Sequence, residues 1–135
     1  MARIINIEGI GPHYKQALKE KAGITETEAL LEASATPTQR EELATRTGIS
    51  RKLILEWANL ADLFRIKGVG EEYSDLLEEA GVDTVVELAQ RNPENLYAAL
   101  REVNDRKLLV RRLPSLWQVQ DWVAQAKKLP RVLTY

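Results

Sequence analysis

The sequence contains no cysteine, which excludes disulfide bonds and thiolate metal sites. Its single histidine, His13, is too little for a histidine-rich metal site. No apolar run approaches the ~20 residues that a membrane-spanning helix needs, and residues 1–6 lack the long apolar core of a secretion signal. We therefore expect a soluble, cytoplasmic protein with no metal, no cofactor and no membrane association.

Signatures of catalysis are also missing. The chain has no phosphate-binding loop with a Lys-Ser/Thr pair, no nucleophile elbow and no metal-ligand spacing. Pairs of glutamates occur at 41–42, 71–72 and 78–79, but adjacent residues on a helix point in different directions. These pairs are typical of solvated faces. We therefore expect no enzyme activity and no small-molecule substrate.

A strong charge of one sign is absent, because the formal net charge is −1. This balance gives no general attraction to nucleic acid. Its distribution is uneven: residues 1–100 carry 11 Lys/Arg and 17 Asp/Glu, whereas residues 101–135 carry 8 and 3. The C-terminal excess is consistent with a basic binding face, and equally with a basic tail that folds back on an acidic body.

What the sequence does have is a glycine turn that occurs twice. Ile7–Gly11 reads Ile-Glu-Gly-Ile-Gly, and Ile66–Gly70 reads Ile-Lys-Gly-Val-Gly 59 positions later. We call them the first and second glycine turns. A turn of this kind that opens a helix leaves backbone N–H groups at the positive helix end. Such an end can bind an anion.

Caps, prolines and apolar spacing predict an all-α fold of about eight short helices. The first helix is expected over Pro12–Ala22, between an initial proline and a terminal Gly23. A break is predicted at Asn104-Asp105, followed by a short helical turn over 106–112. Residues 3–7 are expected to be extended, and 132–135 could form a strand. The residues predicted to cap or open the later helices are Thr25, Thr36, Ser50, Glu71, Asp83 or Thr84, Asn92 and Ser115.

The helices divide into two copies of a four-helix unit, about residues 3–65 and 66–129, with a short tail over 130–135. We expect the copies to share one core in a single domain, because four short helices have little apolar surface to bury alone. Trp57 and Trp122 lie on apolar faces and are expected in the core. Trp117, near the start of its helix, is expected to be exposed and is the better contact residue.

Several segments of the sequence match the patterns of a known motif and a known family. Ile54–Leu77 resembles a helix-hairpin-helix motif, with the second glycine turn as its hairpin. The segments Ile-Gly-Pro, Ala-Gly-Ile, Thr-Gly-Ile and Trp-Ala-Asn-Leu-Ala-Asp-Leu resemble the family domain of unknown function 4332 over most of the chain. The resemblance implies tandem hairpins around a pseudo-twofold axis, and it implies no activity.

The DNA-binding relatives of this motif imply a role for the first glycine turn. In those relatives, hairpin N–H groups contact a phosphate and early side chains of the second helix assist. Here Gly9, Ile10 and Gly11 would supply the turn, and His13 and Lys15 would assist. Useful affinity needs several phosphate contacts, on the order of six. The basic residues that could add contacts include Arg111, Arg112, Lys127 and Lys128.

The second glycine turn departs from the DNA-binding pattern. Gly68, Val69 and Gly70 again supply the turn, but Glu71 and Glu72 follow it. Carboxylates favour a helix N-terminus, yet they repel a phosphate placed there. We interpret this turn as structural or as a protein contact. The same structural interpretation remains open for the first turn, where the glycines would only shape the chain.

The repeat suggests how the first turn is completed. Because Trp122 matches Trp57, we predict that the last helix returns to the N-terminus and brings Trp122 near Ile7 and Tyr14. The function expected from these features is a non-catalytic binding module. Our leading interpretation is an adaptor that recognises a protein partner through an acidic or hairpin face. The alternative is sequence-independent binding of the nucleic-acid backbone, DNA above all, by the first turn and the basic C-terminal residues.

Overall fold

The computed structural model describes residues 2–135 and is all-helical over that range. Met1, part of the N-terminal segment considered above, lies outside it. Between residues 2 and 135 there are eight α-helices, one short 3-10 helix at Ile4–Asn6, and no strand. The α-helices are α1 (Pro12–Ala22), α2 (Thr27–Ala33), α3 (Pro37–Thr47), α4 (Arg51–Leu63), α5 (Glu71–Glu79), α6 (Val85–Gln90), α7 (Pro93–Lys107) and α8 (Leu116–Lys128). None of these helices combines the length and apolarity needed to span a membrane.

The chain divides into two compact units. Unit 1 runs to Asp62 and includes the C-terminal residues Val132–Tyr135. Unit 2 is Leu63–Arg131. That the two copies share one core stays a prediction.

Unit 1 has its own apolar interior. Helices α1 and α2 both pack against α3, and α4 adds the broad apolar face that its spacing predicts. The C-terminal segment joins this unit through Leu133, which is 2% exposed, and through Arg40. The Arg40 guanidinium donates to the carbonyls of Ser34 and Thr134, and burial lowers its pKa. The side chains at the centre of the unit include Ile4, Ile7, Leu18, Leu30, Ile54 and Trp57.

Unit 2 is built around α8. Helices α6 and α7 pack on α8, and α5 packs on α7. The Tyr73 hydroxyl donates to the carbonyl of Arg112, so its ring is packed while its polar end is bonded. The buried side chains of this core include Leu76, Leu77, Leu88, Leu96, Leu100 and Trp122.

Most of the predicted helix limits are confirmed. Helix α1 has the predicted bounds and ends at Gly23 in the left-handed conformation. Thr36 and Ser115 each form a capping box with the glutamine three residues on. Ser50 and Thr84 also accept the expected backbone N–H bonds. These signals are local, so the sequence displays them directly.

The predicted start of α2 is wrong. Glu26, not Thr25, precedes the helix, and its side chain makes no cap. The reason is long-range: Ile4 N–H donates to the Thr25 carbonyl, and Arg3 forms an antiparallel bridge with Glu26. This pairing holds the chain extended past the predicted cap. On the N-terminal side of this pairing, residues 4–6 form the short 3-10 helix and not the predicted extended segment.

The predicted break at Asn104 and the helical turn after it are also wrong. Helix α7 continues to Lys107, and residues 108–115 form a non-helical loop before α8. The side-chain oxygen of Asn104 accepts from Val110 N–H, and its amide donates to the Val110 carbonyl. The polar residue that suggested a break therefore fastens the end of the helix. The possible strand at 132–135 does not form either.

Candidate functional site

The first glycine turn is a tight bend with a buried apolar tip. Ile10 N–H donates to the Ile7 carbonyl at 3.1 Å, and Gly9 between them has a φ of 93°. Ile7 and Ile10 are buried. Gly11 then precedes α1 with no side-chain cap. The turn thus presents backbone to solvent, while its apolar side chains belong to the core.

The second glycine turn has the same local geometry. Val69 N–H donates to the Ile66 carbonyl at 3.1 Å, and Gly68 has a φ of 97°. Val69 is buried. Gly70 precedes α5, again without a side-chain cap. Two turns of similar shape therefore open two helices.

A tryptophan closes over each turn. A Cβ atom added at Gly9 would lie 3.2 Å from Trp57 Nε1, and one at Gly68 would lie 3.0 Å from Trp122 Nε1. Both indole side chains are 1% exposed, as expected for core residues. The glycines are therefore required twice over, for their positive φ and for the close approach of the ring.

The prediction that Trp122 completes the first turn is wrong, because Trp57 occupies that place. Trp57 packs its ring on Tyr14, with centroids 5.0 Å apart. Trp122 packs on Tyr73 at 5.3 Å. Each unit thus contains its own set of glycine, tyrosine and tryptophan. The match of Trp57 to Trp122 is real, but it reflects the same role played once in each unit.

The two turns differ in what holds their backbone. In the second turn, the Gln125 side chain accepts from Lys67 N–H at 2.9 Å and donates to the Lys67 carbonyl at 3.0 Å. Gln125 lies three residues after Trp122. The residue three after Trp57 is Leu60, which is buried and has no polar side-chain atom. We call these two hydrogen bonds to the Lys67 backbone the Gln125 clamp. Leu60 cannot make the corresponding bonds in the first turn.

The two turns also differ in the charge of the side chains that follow them. His13 and Lys15 follow the first turn and are exposed. Lys15 lines a shallow depression of about 350 Å³ on α1, together with Lys19 one helical turn further on. Sequence reasoning missed Lys19, although its i+4 spacing from Lys15 was available. After the second turn come the exposed carboxylates Glu71 and Glu72, as the sequence predicts.

The basic C-terminal candidates do not form one cluster. Arg111 and Arg112 lie in the loop before α8, and Lys127 and Lys128 lie in its last turn. All four are exposed. A helix of 13 residues is about 20 Å long, so the two pairs lie at opposite ends of α8. They cannot neutralise the same phosphate.

Exposed apolar side chains lie just after the end of α7 and at the start of α8. Leu108 is 79% exposed, Leu116 36% and Trp117 70%. We call these three residues the α7–α8 apolar patch. The exposure expected for Trp117 is confirmed. Sequence reasoning missed Leu108, because it falls in the segment that was predicted to be helical.

Three carboxylates also meet on α5. One carboxylate oxygen each of Asp75, Glu78 and Glu79 lies within 4.8 Å of the others. Glu79 accepts from the ammonium of Lys107. The sequence did not indicate this cluster because it is built from i, i+3 and i+4 positions rather than from adjacent glutamates. Exposed acidic groups of this kind are common without an ion.

These features define an all-helical protein with a tryptophan-closed glycine turn in each of two units. The chain belongs to the family described as domain of unknown function (DUF4332), whose model matches residues 8–129. Comparison with curated proteins gives no significant match, and neither does comparison with solved structures. The resemblance to domain of unknown function 4332 drawn from the sequence is thus confirmed, and the family description assigns no activity.

Proposed function

We propose that the protein is a non-catalytic helix-hairpin-helix module that works in the cytoplasm as a protein-interaction adaptor. In this proposal the two glycine turns are the hairpins of tandem units related by a pseudo-twofold axis. The similar φ angles of Gly9 and Gly68 and the matching hydrogen bonds of the two turns support that arrangement. The hairpins build the scaffold, and recognition takes place on its surface.

The observation that carries the proposal is the exposure of Trp117. Two of the three tryptophans are 1% exposed, whereas Trp117 is 70% exposed. Tryptophan is enriched among the residues that dominate binding energy at protein interfaces. Its ring supplies a large contact area at a low cost in conformational entropy. An exposed indole beside exposed leucines is therefore a natural anchor for a protein partner.

Site-specific photocrosslinking tests the adaptor proposal. A benzoylphenylalanine at position 117 is expected to give a discrete protein adduct in extract of the cells that produce the protein. The matched control carries the same group at Lys52, the second residue of α4, which is exposed. Excess wild-type protein should compete the adduct away, and excess Trp117→Lys protein should not. An absence of any adduct specific to position 117 would contradict the proposal.

The alternative function is sequence-independent binding of the DNA backbone by the first glycine turn. Two observations favour it over the second turn: Leu60 cannot clamp the backbone as Gln125 does, and cationic side chains follow the turn. Lys15 and Lys19 are exposed on α1. They supply fewer contacts than the roughly six phosphates that make a strongly salt-dependent binder, so this function ranks second.

Titration with fluorescent DNA distinguishes the two functions. Duplex and single-stranded oligonucleotides are titrated at low and moderate salt with wild type and with Lys15→Glu. The control is Lys52→Glu, which makes the same charge change at an exposed position on α4. Tight, salt-sensitive binding that is lost only in Lys15→Glu would overturn the adaptor proposal. Absence of binding at low salt would eliminate the alternative.

A further inference from the structure

We infer that the α7–α8 apolar patch binds an acidic segment of a protein partner, with an apolar side chain of that segment packed on Trp117. This inference rests on the proposed adaptor function and adds the site and the chemistry of the partner. Four features of unit 2 support it: exposure, residue choice, rigidity and charge.

The residue choice at Trp117 is not required by the scaffold. Helices α4 and α8 both begin after a serine whose side chain accepts the N–H three residues on. The second helical residue is Lys52 in α4 and Trp117 in α8. Lys52 is exposed and is an ordinary residue for a solvated first turn. A large aromatic ring at the same place in α8 therefore serves something other than folding.

Leu108 gives a second and independent contrast. Helices α3 and α7 both end in a left-handed residue, Gly48 with a φ of 77° and Leu108 with a φ of 52°. Glycine is the usual residue there, because a side chain disfavours the left-handed conformation. Leu108 is the one non-glycine residue between 2 and 135 with a positive φ. The chain thus keeps a disfavoured leucine whose side chain is 79% exposed.

The surface around the patch is held in place before any partner arrives. Asn104 makes two hydrogen bonds with the backbone of Val110. The Tyr73 hydroxyl holds the carbonyl of Arg112, and Ser115 with Gln118 forms a capping box at the start of α8. A preformed surface loses little conformational entropy on binding. Leu108 therefore stands on a hydrogen-bonded loop, and Trp117 stands on the capped first turn of α8.

The exposed arginines of the segment that carries Leu108 favour an acidic partner. Arg106, Arg111 and Arg112 are exposed on the segment that carries Leu108. Lys107, in the same segment, engages Glu79. The segment 105–117 contains one carboxylate of its own, Asp105, and the three carboxylates of the α5 cluster lie on the side of Lys107. Opposite charges across an interface speed encounter and exclude partners of the wrong sign.

A peptide fits this chemistry better than a single nucleic-acid strand. Bases stack on aromatic rings and on arginine, and Trp117 and Arg112 could serve them. Leu108 and Leu116 add aliphatic surface, which offers bases no stacking partner. Apolar side chains set among carboxylates match both the leucines and the arginines.

A random dodecapeptide library displayed on phage tests the inference. The library is selected on the wild-type protein, and the recovered peptides are measured by fluorescence anisotropy. The two loss variants are Trp117→Lys and Leu108→Gly, which install the residues that unit 1 has at Lys52 and Gly48. Both suit the local backbone, so circular dichroism should show an unchanged fold. Lys128→Ala, at the far end of α8, is the control.

The expected peptides combine Asp or Glu with an aromatic or aliphatic residue. Each loss variant should weaken their binding by about tenfold or more, and Lys128→Ala should leave it unchanged. Raising the salt concentration should weaken binding several-fold, because the charges are exposed. Peptides that bind both loss variants normally would overturn this inference and leave the adaptor function standing.

The remaining outcomes are equally decisive. Selected peptides rich in Lys or Arg, or no selectable peptide at all, would overturn the inference. Oligo-dT is titrated in parallel as the nucleic-acid probe. Binding of oligo-dT that Trp117→Lys abolishes would assign the patch to single-stranded nucleic acid. In that case the acidic peptide is the wrong occupant, and the adaptor function falls with it.

Discussion

Substituting Gly68 tests the idea that a tryptophan-closed turn organises unit 2. Gly68→Ala adds a methyl group to a residue whose φ is 97°. The added Cβ atom would lie 3.0 Å from Trp122 Nε1. Holding alanine in such a conformation costs on the order of 1–3 kcal/mol. Restricting the unfolded chain returns about 0.4–1 kcal/mol. Because Trp122 is 1% exposed and packed on Tyr73, the ring cannot move aside freely. Strain less the unfolded-state term leaves roughly 0–2.6 kcal/mol. The close contact with Trp122 adds to this loss, so a net destabilisation of about 1–3 kcal/mol is expected.

Gly70→Ala is the matched control, two residues away in the same turn. Gly70 has a φ of −118°, and a Cβ atom there would meet nothing within 4 Å. The entropic gain of roughly 0.4–1 kcal/mol is offset by the poorer N-cap preference of alanine. A change within about 0.5 kcal/mol is expected for this surface-exposed position.

Urea denaturation followed by circular dichroism compares the two variants with wild type. Gly68→Ala should lower the midpoint without changing the slope, since the surface exposed on unfolding is unchanged. Near-ultraviolet circular dichroism should also report a disturbed Trp122. Equal midpoints for the two variants, or a Gly68→Ala protein as stable as wild type, would refute the reasoning.

Three further predictions concern the Gln125 clamp on Lys67, the packing of the C-terminal residues Val132–Tyr135, and the effect of pH on stability. Gln125→Leu, which copies Leu60, should cost about 1–3 kcal/mol, because it removes two hydrogen bonds to the Lys67 backbone; an unchanged urea midpoint would argue against the clamp. Leu133→Ala should cost about 2–4 kcal/mol, since the side chain is 2% exposed in unit 1; thermal unfolding measures this, and a shift of less than a degree would show that the segment is not packed. Burial, and then the charge of Glu87, raise the pKa of Asp83. A raised carboxyl pKa favours folding below about pH 4, and this contribution is lost as pH rises through the folded-state pKa. Asp83→Asn should therefore be more stable than wild type at pH 7 and should lose its advantage near pH 3; a constant difference between melting temperatures across that range would contradict the assignment.

The parts of the fold that the sequence predicts are those whose causes are local. Thr36 and Ser115 cap helices through residues three positions away, and Gly23 ends α1 by its own conformation. The start of α2 is different, because the backbone of Thr25 bonds to Ile4. The hydrogen bond between Ile4 and Thr25 spans 21 positions, so no local sequence pattern predicts it.

The candidate site divides in the same way. The residues of both glycine turns, and the exposure of Trp117, follow from short sequence patterns. The choice of partner for each tryptophan is a tertiary contact, so symmetry alone suggested the wrong pairing for Trp122. Leu108 was missed for a related reason: Asn104 was expected to interrupt the helix, whereas its side chain fastens the loop that presents this leucine.

The comparison of the two units separates scaffold from function. Both units keep the glycine with positive φ, the tyrosine and the tryptophan, and in each unit the indole lies over the glycine and packs on the tyrosine. Residues needed only for folding are expected to be the same kind in both units. Where the units differ without a packing reason, as at Lys52 and Trp117 or at Gly48 and Leu108, we attribute the difference to the proposed binding role. Two such differences flank the single loop between α7 and α8, and that loop is where a partner is expected.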